Sequence, residues 1–277
     1  MERIGIMSNR LDKENMANII LKDEFLRQLE PQIILSGYRG SIAHDTYEEN
    51  TTHDDRDIMG IFIPPKNVIY GLDRMETIER AIEEKLSEKR TVIWDIVYYS
   101  LPKYLSLVLK QNPNVLSLLW LEDRFYLKRT KWGQRLIDAR QQLLSKQCYH
   151  SFCGYAYSQL HRITHHCPTG QLGAKRKELV DRFGFDVKNA SHLIRLLKMG
   201  TEVLTTGELI VARPDNNMLL EIKRGEWSLQ KVLDYADSLF RLMNEAFVKS
   251  TLQNRIDYKF ANGLCMEIME GLLKEAR

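Results

Sequence analysis

The chain has 277 residues, of which 44% are hydrophobic, and a formal net charge of +3. A chain of this length and apolar content can bury one large core or two smaller ones without disulfide or metal support, and its length favours two domains. With 40 basic against 37 acidic residues, the overall charge does not indicate a nucleic-acid-binding protein, so such a function would depend on local patches.

Neither a membrane segment nor a secretory signal is predicted. The sequence has no apolar run of membrane-spanning length, and its first residues, MERIGIMSNRLDKEN, lack the basic and then apolar order of a signal peptide. We therefore expect a cytoplasmic protein without membrane contact. The four cysteines show no paired short spacing and are expected to stay reduced there. They are Cys148, Cys153, Cys167 and Cys265.

After a first predicted helix near residues 14–29, the chain alternates between strand and loop signals. The apolar run Ile33–Leu35 is followed by a turn at Gly40-Ser41, and a second apolar run, Ile58–Ile63, ends at two prolines. That order predicts a strand, a loop, a helix and a further strand. The glycine would let the backbone approach a phosphate, and Ser41 would add a hydroxyl donor.

Two aspartates, Asp55 and Asp57, lie at the start of the second predicted strand. Residues two apart in a strand project to one face, so the two carboxylates would point together while Arg56 points away. Asp54 could instead lead the pair, but the two-residue period favours Asp55 with Asp57. One magnesium ion could touch both carboxylates. With the upstream turn, this pattern indicates a site for a metal and a nucleoside triphosphate, although each half alone also occurs in solvated turns.

The segment resembles the GS…DxD signature of the polymerase beta superfamily of nucleotidyltransferases. From about residue 33 to about residue 250, the chain is also similar to a family of predicted nucleotidyltransferases found in bacteria and large phages. The stretches that carry the resemblance are GYRGS, DDRDIMGIFIPP, LKQNPNVLSLLW, KNASHLIRLLKMGTEVLTTGEL and RGEWSLQKVLDYADSLF. The resemblance implies an α+β fold, with an N-terminal nucleotidyltransferase domain whose small mixed β-sheet is flanked by helices, followed by an all-α C-terminal domain.

Members of the superfamily usually carry a further carboxylate on a neighbouring strand, and the matching candidate is Asp95 in RTVIWDIVYYS. The β-branched and aromatic residues around it predict a strand. Asp95 would be a third metal ligand and a base, or else a charge that keeps an edge strand from aggregating. Many relatives have glycine where this chain has Asp45, so the loop after Ser41 could follow a different path. His44, Asp45, His53 and Asp54 are phosphate-loop residues or solvated loop residues.

Beyond about residue 125 the pattern is mainly helical. We therefore predict a catalytic domain at residues 1–125 and a helical domain that closes the nucleotide cleft at residues 126–277. Ser228 is predicted to cap one of the helices. Predicted helices lie near residues 14–29, 102–111, 114–121, 130–146, 149–165, 188–204, 228–249 and 260–275.

The helix predicted at 188–204 carries a basic stripe. Lys188, His192 and Arg195 are spaced by four and three residues, which places them on one face. The stripe could bind the nucleotide or form an ordinary solvated face, and the resemblance, which includes all three residues, supports nucleotide binding. Further basic residues lie upstream of the helix, at Lys175, Arg176 and Lys177. On the opposite face of the helix, the apolar residues Ala190, Leu193 and Leu197 are expected to pack into the core.

A second cluster, between residues 148 and 167, combines cysteines and histidines. Zinc needs four converging ligands, but no pair here stands beside a matching pair, so buried thiols and surface histidines are the alternative. The cluster is Cys148, Cys153, His161, His165, His166 and Cys167. Arg213 is expected in a surface loop, and Trp227 is expected to be a packing anchor outside the site.

The reaction implied by the resemblance is attack of an acceptor hydroxyl on the α-phosphorus of ATP or another nucleoside triphosphate, with release of pyrophosphate. Asp55, Asp57 and Asp95 would hold two Mg²⁺ or Mn²⁺ ions. The acceptor would be an RNA or transfer-RNA 3′ end, because the basic stripe could follow a backbone and Tyr155 and Tyr157 could stack a base. The alternatives are a small-molecule or protein hydroxyl, and a catalytically silent nucleotide sensor or interaction protein on the same fold. The base and the oligomeric state are not predicted.

Overall fold

The computed structural model describes residues 19–20, 23–48, 53–88, 90–165 and 180–275. These residues form two compact units. The first contains the described residues up to Leu109, the segment Asn114–Leu143 and the described residues from Ile256 onward. The second contains Lys110–Pro113 and Leu144–Arg255. Within these described ranges, no helix combines the length and the apolar character needed to cross a lipid bilayer.

Five strands of the first unit form one mixed sheet. They are β1 (Ile33–Tyr38), β2 (His53–Phe62), β3 (Thr77–Lys85), β4 (Thr91–Ser100) and β5 (Tyr126–Arg129). Their spatial order is β3-β4-β2-β1-β5. Strands β2 and β4 run parallel, whereas the other neighbouring pairs are antiparallel. The predicted α+β class with a small mixed sheet is therefore confirmed.

The burial of the strands follows their positions in the sheet. All six residues of β1 are buried, as expected for a strand that has a neighbour on each side and carries a continuous apolar run. The edge strand β3 alternates between buried or half-buried and exposed residues. Its sequence, TIERAIEEK, places charges along the exposed edge, which discourages pairing with another chain.

The helices are numbered along the chain. They are α1 (Glu24–Leu29), α2 (Gly40–Ala43), α3 (Lys66–Tyr70), α4 (Leu101–Leu109), α5 (Pro113–Leu116), α6 (Lys131–Asp138), α7 (Cys148–Thr164), α8 (Val187–Thr206), α9 (Asn216–Lys223), α10 (Leu229–Lys249) and α11 (Tyr258–Glu275). In the first unit, α4 packs against β4 and β2, α6 packs against β1, and α11 packs against α4 and α6. The core of this unit therefore lies between the sheet and these helices.

The described part of the second unit is built from helices alone. Helix α8 is its centre, because it packs against α7, α9 and α10 and has twelve buried residues. Its first turn is capped by Asp186, whose Oδ1 accepts a hydrogen bond of 2.9 Å from the backbone N–H of Asn189. Ser228 caps α10 in the same way, at 3.2 Å from the backbone nitrogen of Lys231, as predicted. The predicted helical C-terminal region is confirmed.

Most of the predicted helices are present, but some helix ends and the division into units differ from the prediction. The helices predicted at 114–121 and 130–146 each end early and continue as a 3₁₀ turn, Ser117–Trp120 and Arg140–Leu143 respectively. Strand β5 lies beyond the predicted boundary at residue 125 but belongs to the sheet, and α11 belongs to the first unit. The two units therefore divide the chain differently from the predicted 1–125 and 126–277. Part of the helix predicted at 14–29 lies outside the described residues.

Candidate functional site

The three predicted carboxylates lie on two adjacent strands of the sheet. Asp55 and Asp57 are on β2 and Asp95 is on β4, and the parallel register pairs Asp57 directly with Asp95. Asp55 is paired with Ile93, one step back on the same face. Asp55 and Asp95 are exposed, whereas Asp57 is half-buried. Two carboxylates from different strands therefore face each other at an accessible surface.

The burial of Asp54 identifies the inner face of β2. Asp54 is 2% exposed, and its carboxylate accepts a hydrogen bond of 2.5 Å from the hydroxyl of Tyr47. The guanidinium of Arg56 lies 3.1 Å from the same carboxylate oxygen. Since Asp54 and Arg56 pair with each other two residues apart, they share the face opposite Asp55 and Asp57. As predicted, Arg56 thus points away from the face of Asp55 and Asp57, and its ion pair with Asp54 lies on the opposite face.

The turn at Gly40 packs directly against Asp57. Gly40 has a φ of +64°, and a Cβ atom at this position would lie 2.5 Å from Oδ2 of Asp57. The backbone N–H of Arg39 also donates to the carbonyl oxygen of Asp57, at 2.9 Å. Glycine is therefore required here both by its backbone conformation and by the closeness of the carboxylate. Ser41 follows in a half-buried position.

The loop after Ser41 contains Asp45, the residue for which a different loop path was considered. Asp45 has a φ of +53°, in the left-handed region that glycine favours. Its carboxylate accepts a hydrogen bond from Arg124. Although partial burial lowers the pKa of Arg124, the hydrogen bonds to Glu122 and Asp45 raise it overall. Asp45 thus lies in a backbone conformation that glycine favours, and His44 is buried at 7% exposure, not solvated.

One charged residue in the site was missed by sequence reasoning. Arg39 Nη2 lies 2.9 Å from Oδ2 of Asp95 and 3.8 Å from Oδ1 of Asp57. The available signal was a basic residue at the end of a predicted strand, directly before Gly40. What the sequence could not show is the reach of its side chain across β2 to β4.

The carboxylate pair fits a divalent cation. Carboxylate oxygens are the ligands that Mg²⁺ and Mn²⁺ prefer, and a positively charged guanidinium already lies between Asp57 and Asp95. Within the described residues, no three His, Cys, Asp or Glu side chains are gathered into a metal-binding cluster. Mg²⁺ is commonly held by one or two carboxylates together with substrate phosphates, so a pair that faces solvent suits it without a complete cage of protein ligands.

The residues of the predicted basic stripe lie in the second unit, on α8. Lys188 is exposed, and His192 and Arg195 are half-buried. Burial, and then the charge of Arg213, lower the pKa of Arg195 to about 10. The apolar face predicted for this helix is confirmed, since each of its members is fully buried: Ala190, Leu193 and Leu197. The upstream residues Lys175, Arg176 and Lys177 lie outside the described part of the chain.

Arg213 is not a surface-loop residue, as was expected, but an internal one. Its side chain is fully buried, with Nη1 and Nη2 2.5 and 2.7 Å from the two carboxylate oxygens of Glu202. Its Nε donates to Asp215 at 2.8 Å, and Lys198 pairs with the same carboxylate at 2.8 Å. This network joins α8 to the segment before α9, so we assign Arg213 to the stability of the second unit.

The described cysteines and histidines of the 148–167 cluster are buried thiols and surface histidines, the alternative to a zinc site. Cys148 and Cys153 are buried, and burial raises the pKa of Cys148 to about 12. The exposed rings of His161 and His165 stack with their centroids 4.2 Å apart. These described members form no metal-binding cluster, and His166 and Cys167 lie outside the described residues.

Comparison with known proteins agrees with the resemblance in the motifs. No curated protein matches the chain. Among solved structures, a nucleotidyltransferase-like protein from Exiguobacterium sibiricum 255-15 is similar at 11% identity with a TM-score of 0.27, over 88% of this chain and 74% of that one. The model of the RNA repair pathway DNA polymerase beta family, RlaP, matches residues 12–267. This chain belongs to that family, which confirms it as a nucleotidyltransferase of the polymerase beta superfamily.

Proposed function

We propose that this nucleotidyltransferase moves a nucleoside monophosphate from a nucleoside triphosphate to an acceptor hydroxyl at the surface formed by Asp55, Asp57 and Asp95. Membership of the family supports the reaction class. The observation that carries the location is the direct pairing of Asp57 with Asp95 next to the Gly40 turn. In this arrangement the turn that would hold phosphates and the acidic face that would meet the reacting groups lie side by side.

The reaction follows from the placement of these groups. The acceptor oxygen attacks the α-phosphorus, a new phosphorus–oxygen bond forms, and the bond to the bridging oxygen of pyrophosphate breaks. Asp95, the exposed member of the facing pair, accepts the hydroxyl proton. Gly40 and Ser41 hold the β- and γ-phosphates, because a glycine turn lets phosphate oxygens come close to backbone N–H groups.

A divalent cation is proposed as the cofactor. Asp55, Asp57 and Asp95 would hold Mg²⁺ or Mn²⁺, in two positions when the nucleotide is bound. The cation would supply charge neutralisation at the phosphates and acidify the acceptor hydroxyl. The protein's own contribution is positioning and charge, which dominate catalysis in phosphoryl transfer.

The proposed acceptor is an RNA hydroxyl, such as the 3′ end of an RNA or transfer RNA. The description of the family names an RNA repair pathway, which supports this class over a small-molecule or protein hydroxyl. In the second unit, Tyr157 is 57% exposed, and its ring stacks on that of Phe240 with a centroid distance of 4.5 Å. An exposed, supported aromatic ring of this kind is suited to stacking with a base.

Lys188, His192 and Arg195 are proposed contacts for the triphosphate. The support is the presence of three cationic or polar side chains at helical spacing on α8, with Lys188 exposed. The measurement for this assignment is the triphosphate affinity of Arg195→Ala, and an unchanged affinity would remove Arg195 from the set.

Transfer of label from each α-labelled nucleoside triphosphate to total cellular RNA, in the presence of Mg²⁺, tests the proposed function. Wild-type protein should label RNA and release pyrophosphate, and Asp55→Asn/Asp57→Asn protein should lose about 10²-fold or more of this activity. The matched control is Asp138→Asn, which makes the same chemical change at an exposed position on α6.

Equal labelling by wild-type and doubly substituted protein would place the reaction elsewhere. If no RNA is labelled although nucleotide binds, the acceptor is not RNA. The nucleotide that gives the strongest signal would identify the preferred base.

A further inference from the structure

The guanidinium of Arg39 lies where a bound cation would neutralise the facing carboxylates. Nη2 is 2.9 Å from Oδ2 of Asp95 and 3.8 Å from Oδ1 of Asp57, and the Arg39 side chain is 30% exposed. The backbone of Arg39 is tied to the same place, through its N–H group and the carbonyl oxygen of Asp57. One arginine therefore offsets the repulsion between two like charges on neighbouring strands.

The hydrogen bonding of this guanidinium is incomplete. Its Nε is buried and, among the residues that the structure describes, has no hydrogen-bond partner. A guanidinium has five N–H donors, and a buried donor without an acceptor costs free energy. The arrangement thus stabilises the carboxylates but leaves Nε of Arg39 without an acceptor, which a second oxygen anion would supply.

We infer that Arg39 occupies the place of a metal cation before substrate binds, and so keeps Asp57 and Asp95 together. When the nucleotide binds, the guanidinium of Arg39 leaves the carboxylates and pairs with the phosphate groups. We call Arg39 in this role a placeholder cation. This inference rests on the proposed function, because it assigns the pair to a divalent cation and the neighbouring Gly40 turn to phosphates. The inference adds Arg39 to the site. It also predicts that Arg39 exchanges the carboxylates for the phosphates when the nucleotide binds.

The exchange follows from charge. A guanidinium and a divalent cation cannot both lie between the same two carboxylates, because their positive charges repel at short distance. Arg39 must therefore compete with the metal when no nucleotide is present. Once it leaves the carboxylates, its planar fork of donors matches phosphate oxygens better than a single ammonium group does.

Titration with Mn²⁺ alone, followed by electron paramagnetic resonance, tests the competition without any transfer reaction. Arg39→Gln should bind Mn²⁺ about fivefold more tightly than wild type, the size expected when two partly exposed ion pairs to one arginine are lost. Arg39→Lys keeps the positive charge and should stay close to wild type. Asp57→Asn should lose the binding, which locates the Mn²⁺ at this pair.

Titration with inorganic tripolyphosphate in saturating Mn²⁺ tests the second partner. Arg39→Gln should bind this probe about tenfold more weakly, as expected for the loss of a charged hydrogen-bond donor, and Arg39→Lys should lie between the two. The inference therefore predicts that Arg39→Gln raises the affinity for Mn²⁺ and lowers the affinity for tripolyphosphate. General damage to the site would lower both affinities. A melting curve of each variant without metal checks that the protein is folded.

An Arg39→Gln protein whose Mn²⁺ affinity is unchanged or weaker overturns the inference, and so does one that binds tripolyphosphate as well as wild type. Failure of the proposed function is a separate result, since it would appear as absence of label transfer by the wild-type protein. Tighter Mn²⁺ binding by Arg39→Gln, combined with no label transfer by the wild-type protein, would support the role of Arg39 and exclude transfer to RNA.

Discussion

At the scale of single residues, neighbouring aspartates of β2 have opposite roles. Asp54 is buried and satisfied by Tyr47 and Arg56, so its charge is part of the fold. Asp57, three residues later, lies beside Asp95 on the opposite face of the sheet from Asp54. Since the side chains of a strand alternate, four consecutive polar residues can supply an internal ion pair and an external acidic face together.

Substitution of Asp95, the proposed base, is expected to separate binding from catalysis. Asp95→Asn keeps the shape of the side chain but removes its ability to accept a proton, so we expect turnover to fall by about 10²- to 10⁴-fold. Binding of the metal and nucleotide should be retained, because Asp57 and Asp55 remain. Single-turnover label transfer and equilibrium binding of the triphosphate measure the two effects separately.

The control for this substitution is Asp54→Asn, the same exchange on the buried face. It should lower the free energy of unfolding by about 1–3 kcal/mol, because it weakens buried hydrogen bonds, while the chemical step continues. Full activity of Asp95→Asn protein would refute its role as the base.

Several of these residue positions could be predicted and others could not. The pairing of Asp55 with Asp57 follows from the strand period, and the nearness of Gly40 follows from the order of motif and strand. The positions of Arg39 and Arg124 could not be predicted, because each reaches a carboxylate that is distant in sequence: Asp95 for Arg39 and Asp45 for Arg124. Such contacts depend on strand order and side-chain reach rather than on local pattern.

At the scale of elements, the second unit depends on a buried charge network between α8 and the segment before α9. Arg213 has both partners in place, Glu202 and Asp215. Although burial lowers the pKa of Arg213, the hydrogen bond and charge of Glu202 raise it overall. For Asp215, burial raises the pKa, but the hydrogen bond from Lys198 and the charge of Arg213 lower it overall. The charged forms are thus the stable ones.

Loss of Arg213 should therefore destabilise the protein. Arg213→Ala leaves Glu202 and Asp215 partly buried without their main partner, and we expect a decrease of about 3 kcal/mol in the free energy of unfolding at pH 7. Because the pKa of Asp215 is lowered in the folded state, its contribution is present above its ordinary pKa and is lost as the pH falls through the lowered value. The effect of the substitution should shrink at acidic pH.

Chemical denaturation at neutral and acidic pH measures this difference. Arg241→Ala is the matched control, because Arg241 forms an exposed pair with Asp237 one helical turn away, and its loss should change stability by less than about 0.5 kcal/mol. Equal effects of the two substitutions would show that the Arg213 network contributes little.

Elements differ in how far their sequences predict them. Helices α8 and α10 have long periodic patterns and good N-caps, so their sequences predict them well. Strand β5 has only four residues and gives no period, and its place beside β1 comes from long-range pairing. The same holds for α11, whose pattern predicts a helix but not its return to the first unit.

At the scale of the whole molecule, a net charge of +3 leaves RNA binding to local features. If RNA is the acceptor, a few backbone phosphates must still be contacted by basic side chains, and each contact releases counterions. Recognition of a small-molecule acceptor would release few. The salt dependence of binding therefore distinguishes these classes of acceptor without knowledge of the base that is transferred.

We expect the affinity for single-stranded RNA to fall with salt, with a slope of log affinity against log salt of about −2 to −3, corresponding to three or four phosphate contacts. Fluorescence anisotropy of a labelled oligonucleotide at several salt concentrations gives this slope. Tyr157→Ala should weaken binding by about 1–3 kcal/mol at every salt concentration and leave the slope unchanged, because stacking involves no counterions. A flat salt response of the wild-type protein would instead favour an acceptor that is not a nucleic acid.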